Sequence, residues 1–225
     1  MEAQGLGVLI PGDAWQALLA AGVPRTFLDG EVVLRQGDQG GHVLALTNGR
    51  VKVTLVDIDG REMVLAIRGA GEILGEISVI DGGRRSATVT AWGRCIAYQL
   101  PAARFLRIVD EFRIRDTLLR LILARYREGE AIRAELIGLP ALQRVGRVLL
   151  WFAGMTANHR NGESGLDLRL SQEELASAVG LSRAAVAAAL SSLRKQGVIT
   201  TSRRLITVRD LPKLRAVGHA PNADT

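Results

Sequence analysis

The sequence has one cysteine, Cys95, and few aromatic residues, which make up 4% of its 225 positions. A single cysteine excludes an internal disulfide and an iron–sulfur cluster held by four cysteines. The histidines His42, His159 and His219 stand far apart, so they lack the spacing of a metal site. The sequence shows neither a catalytic dyad nor a phosphate-binding loop followed by lysine, which argues against an enzyme. We therefore predict a protein without a metal site or catalytic activity.

Long apolar runs and a secretion signal are also missing. No apolar segment approaches the ~20 residues that a membrane-spanning helix needs. The N-terminal stretch MEAQGLGVLIPGDAW contains acidic residues and no basic segment, so a signal peptide is not expected. The sequence therefore predicts a cytoplasmic protein with no membrane partner.

The net charge of +6 belongs to the last part of the chain. Residues 1–138 contain 17 Lys and Arg and 17 Asp and Glu, whereas residues 139–225 contain 12 against 6. Because 48% of all residues are hydrophobic and the chain is long, it has enough apolar material for two cores. The basic second part indicates contact with a polyanion, and a merely solvated basic face is the alternative.

Short β-rich segments separated by glycine fill the sequence from Phe27 to Leu100. The candidate strands are residues 32–35, 42–47, 50–57, 62–68, 86–92 and 95–100. Asn48-Gly49 and Asp59-Gly60, which lie between them, are signals for tight turns. Short strands at such regular spacing predict a small barrel or jelly roll whose interior can enclose one small ligand.

A helical pattern follows Pro101 and continues without proline to Gly138. Its apolar positions repeat with alternating steps of four and three, which is a heptad seam. The seam consists of Leu118, Ile122, Arg125, Gly129, Ile132, Leu136 and Leu139. This spacing predicts a helix that faces a partner helix, and packing against the chain's own β segment is the alternative. Arg125 on the seam is costly there unless it is paired.

Two short helices and a hairpin are predicted in the basic part. Residues 171–174 form a capping-box pattern, Gly180 stands at a turn, and Ser182 can cap a second helix that ends near residue 196. The segment GVITTSRRLITV predicts a β-hairpin with Arg203 and Arg204 near its tip. The spacing is that of a helix-turn-helix followed by a wing. Together with the charge, it predicts binding to double-stranded DNA.

The segment GEISVIDGGRRSATV, residues 75–89, places a carboxylate and a guanidinium beside small residues. Gly75 lets the backbone approach a ligand closely, because no Cβ stands in the way. Glu76 offers acceptors for a ribose hydroxyl, and Arg85 offers a planar set of donors for a phosphate. Ser86 can turn a backbone N–H toward the same anion. A surface ion pair is the alternative interpretation.

This segment resembles the phosphate-binding cassette of cyclic-nucleotide-binding domains. Residues 170–193 resemble the helix-turn-helix of the cyclic AMP receptor protein (Crp/Fnr) family of bacterial transcription regulators, and the resemblance covers roughly residues 27–211. It implies an α+β fold with an N-terminal cyclic-nucleotide-binding β jelly roll (1–106), a long dimerisation helix (107–138) and a C-terminal winged helix-turn-helix (139–211). Residues 212–225 form a tail. The implied partners are double-stranded DNA, a second copy of the chain through residues 107–138, and RNA polymerase as a further candidate.

The resemblance also implies a nucleotide site. It assigns the ribose and the cyclic phosphate to the cassette residues Gly75, Glu76, Ile77, Ser78, Arg85 and Ser86. An ungapped alignment through Gly146-Arg147 places Ile132 and Arg133 at the base. Isoleucine cannot bond the adenine edge as the threonine of cyclic AMP-responsive relatives does, whereas Arg133 could reach a guanine. We expect cyclic AMP or cyclic GMP as effector; a regulator with another effector, or a constitutive one whose cassette is unused, is the alternative.

On the DNA side, the resemblance implies that Arg183 grips a guanine edge in the major groove. It implies phosphate contacts from Ser171, Ser182, Lys195, Arg203 and Arg204, which position a protein without reading sequence. Well-studied members carry a glutamate after the recognition arginine and a basic residue four positions later, where this chain has Ala184 and Ala188. These alanines offer only apolar contact, so we expect a different or looser binding site that depends more on DNA shape.

Overall fold

The computed structural model describes residues 5–58, 60, 62–156 and 165–219. Asp59, His159 and residues 220–225 of the predicted tail lie outside this range. The chain forms two compact units, the first within residues 1–56 and 65–128 and the second within residues 57–64 and 129–225.

Helices flank a β-rich centre in the first 136 residues. The helices are α1 (Leu6–Leu9), α2 (Gly12–Ala21), α3 (Glu76–Ile80), α4 (Ala102–Glu111) and α5 (Arg115–Leu136). The strands are β1 (Val23–Phe27), β2 (Val32–Leu34), β3 (His42–Asn48), β4 (Arg50–Val56), β5 (Glu62–Gly69), β6 (Ile73–Leu74), β7 (Thr88–Ala91) and β8 (Cys95–Pro101). All six predicted strands are present, whereas β1 and the two-residue β6 were not predicted.

The eight strands form two four-stranded sheets, with strand orders β1-β8-β3-β6 and β2-β7-β4-β5. A core of buried side chains such as Leu44, Leu46, Val51 and Val89 is shared by strands of both sheets. Cys95 belongs to this core as a buried free thiol, and burial raises its pKa. The two sheets and the helices that follow them confirm the predicted α+β class with a β-rich N-terminal domain.

The predicted continuous helix over residues 102–138 is interrupted. α4 ends at Glu111, and Arg113 adopts a left-handed backbone with φ of 54°. The N–H of Ile114 then donates to the carbonyl oxygen of Val109 at 3.0 Å, which closes the helix end. Because Arg113 is neither glycine nor proline, no local signal marked this break.

The first part of the predicted seam packs inward instead of facing a partner. Leu118 is buried in a core with Leu18 of α2 and Phe105 of α4, and Ile122 packs against that core. The prediction that these positions contact a second helix is therefore wrong, and the alternative that it was weighed against holds for them. The large exposed apolar side chains of α5 in the first unit are Leu119, Leu123 and Tyr126, each one position further along the sequence than a seam residue.

Four further helices and three further strands follow in the second unit and form a small helical domain with a wing. They are α6 (Ala141–Thr156), β9 (Leu166–Leu168), α7 (Gln172–Val179), α8 (Arg183–Lys195), β10 (Ile199–Ser202), β11 (Leu205–Val208) and α9 (Leu211–Gly218). The three strands pair in the order β10-β11-β9. α9 forms within the segment that was predicted to be a tail, and its Leu214 is fully buried.

α6 and α9 approach each other through glycine. A Cβ on Gly146 would lie 3.3 Å from the backbone of Gly218, so any larger residue there would press on α9. Arg147 fixes the contact, because its Nε–H donates to the carbonyl oxygen of Gly218 at 2.5 Å and its Nη1 to Glu135 at 2.8 Å. The last described helix is therefore an integral part of the second unit.

No single helix among the described residues is long and apolar enough to span a membrane. α7 and α8 reach that length and composition only together, as a pair bent by 106°.

Candidate functional site

The guanidinium of Arg85 organises the cassette. Its Nη1 donates to the carbonyl oxygen of Gly75 and to Oγ of Ser78, both at 2.7 Å. Its Nη2 donates to the carbonyl oxygen of His42 at 2.6 Å. Arg85 is only 4% exposed, and burial lowers the pKa of its guanidinium. These contacts tie the end of β6, α3 and the start of β3 around one cation.

Gly75 is required by two independent features of this arrangement. Its φ is +81°, in the left-handed region that disfavours residues with a side chain. A Cβ built on it would also collide with Nη1 of Arg85. Glycine therefore permits the close approach of backbone and guanidinium on which the cassette depends.

Glu76 is buried at the first position of α3 and is paired with a residue that the sequence did not assign to the site. Nη1 of Arg125, on α5, donates to Oε1 of Glu76 at 2.6 Å, and Nη2 of Arg125 bonds Glu72. Glu72 and Glu76 are 4% and 5% exposed. Burial raises the pKa of Glu76, and Arg125 opposes that shift. Two buried carboxylates thus share one arginine.

The ion pairs of Arg125 explain how a charged residue can lie on an apolar seam. An arginine on an apolar seam needs a partner, and the partners are Glu72 and Glu76, about fifty residues earlier in the chain. A charged residue at an apolar seam position was the sequence signal that indicated a buried partner. The identity of its partners depends on the fold.

The remaining predicted nucleotide ligands lie differently. The side chain of Ile77 is 42% exposed, and Ser86 is exposed beside Arg85. Ile132 is half-buried, and Arg133 is exposed and bonds Glu130 one turn away. Both belong to the second unit, whereas the cassette belongs to the first. Their role at the base stays a prediction.

The predicted DNA-contacting serines are helix caps. Oγ of Ser171 accepts from the N–H of Glu174 at 3.1 Å, and Glu174 accepts from the N–H of Ser171 at 2.7 Å. Oγ of Ser182 accepts from the N–H of Ala185 at 3.2 Å. Both serines therefore begin helices, and the N-termini of α7 and α8 are suited to phosphate oxygens.

The exposed face of α8 carries few polar groups, as predicted. Ala184 and Ala188 are exposed, and Lys195 is exposed at the last turn of α8. Arg183 begins the helix, is 72% exposed along its side chain, and is paired with Glu173 at 3.0 Å. Glu173 was not assigned to the site, and its carboxylate lies beside the guanidinium that is expected to read DNA.

Arg203 and Arg204 form the tip of the hairpin. β10 and β11 pair from Ile199–Val208 to Ser202–Leu205, so these two arginines make up the whole connection. Both are exposed, and Arg204 has a φ of 56°. The prediction of a hairpin with a basic tip is confirmed.

Two family models match the chain in the order of its domains. Residues 24–112 match the cyclic nucleotide-binding domain, and residues 143–217 match the Crp-like helix-turn-helix domain. The CRP-like cAMP-activated global transcriptional regulator of Mycobacterium tuberculosis is 32% identical over 193 residues, which is 85% of this chain and 86% of that protein. This chain belongs to the Crp/Fnr family. As a member of that family it is a DNA-binding transcription regulator, and its relatives are regulators rather than enzymes.

Two further proteins show how far the similarity extends. The cyclic AMP receptor protein of Thermus thermophilus is 27% identical to this Crp/Fnr chain over 195 residues, which is 86% of this chain and 87% of that one. A solved structure of the c-di-GMP responsive global regulator CLP of Xanthomonas campestris aligns with a TM-score of 0.69 at 23% identity, covering 88% of this chain and 99% of CLP. The latter similarity is one of fold.

Proposed function

We propose that the chain is a homodimeric, sequence-specific regulator of transcription whose affinity for DNA depends on a cyclic nucleotide bound at the cassette. The observation that carries this proposal is the convergence of Glu76, Ser78 and Arg85, all buried, with Glu76 held by Arg125 of α5. The cassette lies in the β-rich domain, and the helix-turn-helix lies in the basic part. A regulator of DNA works where the chromosome is, so we place it in the cytoplasm.

The N–H donors of Arg85 that do not bond the protein suit a phosphate. A guanidinium has five N–H donors, and three bonds to Gly75, Ser78 and His42 employ both donors of Nη1 and one of Nη2. The donors on Nε and on the other side of Nη2 have no acceptor among the described residues. They form one edge of the planar group, which matches two oxygens of a phosphate. The protein contacts thus orient Arg85 with this edge available.

Glu76 connects the ribose to α5. A carboxylate can accept from several donors, so Glu76 can accept from a ribose hydroxyl while it accepts from Arg125. A hydroxyl donor at Glu76 shares the carboxylate with Arg125, and Arg125 is part of α5, so the ligand is linked to that helix. Such a ligand can gate DNA binding only if it binds two conformations of the protein with different affinity.

The function is tested by measuring DNA affinity in the presence and absence of ligand. We expect cyclic AMP or cyclic GMP to change the affinity of the full-length protein for a selected DNA site by roughly 5- to 150-fold, the usual range of allosteric coupling. The measurement is fluorescence anisotropy at one fixed salt concentration, because affinity for DNA depends strongly on salt. Unchanged affinity with both nucleotides would favour the constitutive alternative.

The exposed stripe on α5 is the surface we assign to dimerisation. Leu119, Leu123 and Tyr126 are 53%, 44% and 63% exposed and lie at steps of four and three, so they share one face of the helix. Proteins of this family typically dimerise. A second α5 that lies along this stripe would cover all three side chains.

Replacing Leu123 with arginine is expected to convert the dimer to a monomer at micromolar concentration, because a charge would be buried between the helices. Sedimentation equilibrium measures the change. The control is Arg127→Met. It changes an exposed position of the same helix without introducing a charge. A dimer that survives Leu123→Arg would place the interface elsewhere.

Removing Arg183 is expected to relax sequence preference. A guanidinium on a guanine edge contributes about 1–3 kcal/mol of discrimination, so Arg183→Ala should bring cognate and single-substituted sites within a few-fold of each other at one base pair. Lys195→Ala is the contrasting variant, and it should weaken all sequences similarly and lower the salt slope by about 1. Binding to a panel of substituted sites distinguishes them. If both variants weakened binding to all sites by similar factors, Arg183 would have no role in base recognition.

A further inference from the structure

Glu173 is an exposed carboxylate in the basic part of the chain, which is expected to meet DNA. The described residues of that part include four acidic ones, and three of them serve the domain itself. Glu174 completes the capping box of α7, Asp210 caps α9, and Asp167 accepts from Oγ1 of Thr207 at 2.7 Å. Glu173 takes no part in these contacts. A carboxylate on a surface that meets phosphates is repelled by them unless its charge is balanced.

The charge of Glu173 is balanced by Arg183. Nη2 of Arg183 donates to Oε2 of Glu173 at 3.0 Å, which joins the start of α8 to the start of α7. Among the described residues, Glu173 is the only hydrogen-bond partner of this guanidinium. The two side chains are 72% and 69% exposed, and an exposed ion pair contributes little to stability. The pair therefore bears on where the guanidinium lies rather than on whether the domain folds.

The bond to Glu173 leaves Arg183 able to read a base. A guanidinium has five N–H donors, and Nη2 carries two of them. Glu173 employs one, so the other Nη2 donor remains beside a donor of Nε or of Nη1. Either combination forms an edge of two donors that matches O6 and N7 of guanine. Arg183 can thus bond Glu173 and a guanine at the same time.

The pair also limits what else Arg183 can bond. An arginine without a partner has many side-chain conformations of similar energy, and it attracts any phosphate oxygen within reach. The carboxylate of Glu173 restricts these conformations and offsets the positive charge. Glu173 also lies in the first turn of α7, where a helix N-terminus would otherwise favour a phosphate. Both effects oppose binding that does not depend on sequence.

We propose that Glu173 is a positioning residue for base recognition, which holds the guanidinium of Arg183 for guanine and lowers the affinity for DNA of unrelated sequence. This inference rests on the proposed function. The exposed face of α8 offers only alanine at positions 184 and 188. Glu173 thus supplies, from α7, a polar contact to the recognition arginine that α8 itself lacks.

A double-mutant cycle tests this role. Glu173→Gln, Arg183→Ala and the double variant are compared with the wild type by fluorescence anisotropy, at one fixed salt concentration and in the ligand state that gives the tighter binding. The measured quantity is the discrimination, which is the dissociation constant for a site substituted at the base pair that Arg183→Ala identifies, divided by that for the selected site. We expect Glu173→Gln to lower the discrimination about 3- to 5-fold, the size of one exposed charge pair. In the Arg183→Ala background it should leave the discrimination unchanged.

Affinity for DNA of unrelated sequence is the second readout. Glu173→Gln should raise this affinity and steepen its salt slope by about 1, since the released guanidinium gains a phosphate. The control is Glu62→Gln, which removes the same charge from an exposed position of β5 and should change neither readout. A purely structural role of Glu173 would move neither the discrimination nor the salt slope in this direction.

The outcomes separate this inference from the proposed function. Discrimination that Glu173→Gln leaves unchanged, or lowers equally in both backgrounds, would overturn the role of Glu173 and leave recognition by Arg183 standing. Weaker binding of Glu173→Gln to unrelated DNA would also overturn it. If folded wild-type protein showed no preference among DNA sequences, both this inference and sequence-specific regulation would fall.

Discussion

Replacing Arg85 with alanine is expected to lower the affinity for a cyclic nucleotide by at least about 100-fold. Hydrogen bonds to a charged group contribute about 1.5–3 kcal/mol each, and the free edge of Arg85 offers two of them to a phosphate. The substitution also leaves Gly75 and Ser78 without their donor, so the cassette loses the cation that orders it. Calorimetric titration measures the loss, and circular dichroism checks the fold.

The adjacent arginine provides the control for that experiment. Arg84 is exposed, and its Nη1 donates to the carbonyl oxygen of Gly37 at 2.8 Å. Arg84→Ala removes the same charge one residue away, so long-range electrostatics change equally in both variants. Nucleotide binding by Arg85→Ala that equals that of Arg84→Ala would show that the cassette is not the phosphate site. Ligand-independent DNA binding should remain measurable in both.

Replacing Arg125 with methionine is expected to lower the stability of the first unit by about 3–5 kcal/mol, the usual cost of removing one partner from a buried ion pair. Glu72 and Glu76 are almost fully buried and bond the same guanidinium, so both lose their counter-charge. Urea denaturation measures the change. Arg127→Met on the exposed side of the same helix should stay within about 0.5 kcal/mol of the wild type.

The pH dependence of the stability of Arg125→Met shows whether the loss of stability is electrostatic. Burial raises the pKa of Glu76, and Arg125 is the first of the groups that oppose it. Without Arg125 the folded protein favours protonated Glu76 more strongly. A group whose pKa is raised on folding stabilises the fold at low pH, and this contribution is lost as pH rises through the folded pKa. The deficit of Arg125→Met should therefore grow as the pH rises above the ordinary pKa of a glutamate.

A second variant separates charge from packing. Adding Glu72→Gln and Glu76→Gln to Arg125→Met removes the uncompensated carboxylates, so most of the lost stability should return and the pH dependence should flatten. A deficit in Arg125→Met that is constant with pH would mean that the methionine disturbs packing instead. The wild-type cluster would then be a structural contact without electrostatic consequence.

The parts of the site that could be predicted from the sequence are those whose residues are neighbours in the chain. Gly75, Glu76, Ser78 and Arg85 lie within eleven positions, and the turns and strands around them are set by local glycines. Arg125 meets Glu72 and Glu76 only through the fold, since it reaches back about fifty residues. Pairing across that distance has no local signature.

The errors on α5 have a similar origin. Leu118, Ile122 and Arg125 form one stripe at helical spacing, and Leu119, Leu123 and Tyr126 form another beside it. Periodicity cannot decide which stripe the β domain covers, so the assignment of Leu118 and Ile122 to a partner helix was wrong. α9 is different, because Asp210 caps it and Pro212 stands at its first turn. These were readable start signals.

The contact between Gly146 and Gly218 makes the second unit sensitive to trimming of the chain by exopeptidases. α6 and α9 touch backbone to backbone there, so the last described helix is built into the domain that carries the helix-turn-helix. An exopeptidase that trimmed the chain past Gly218 would remove the acceptor of Arg147 and, soon after, buried Leu214. Loss of the chain from Leu214 onward would thus expose apolar surface of the DNA-binding domain.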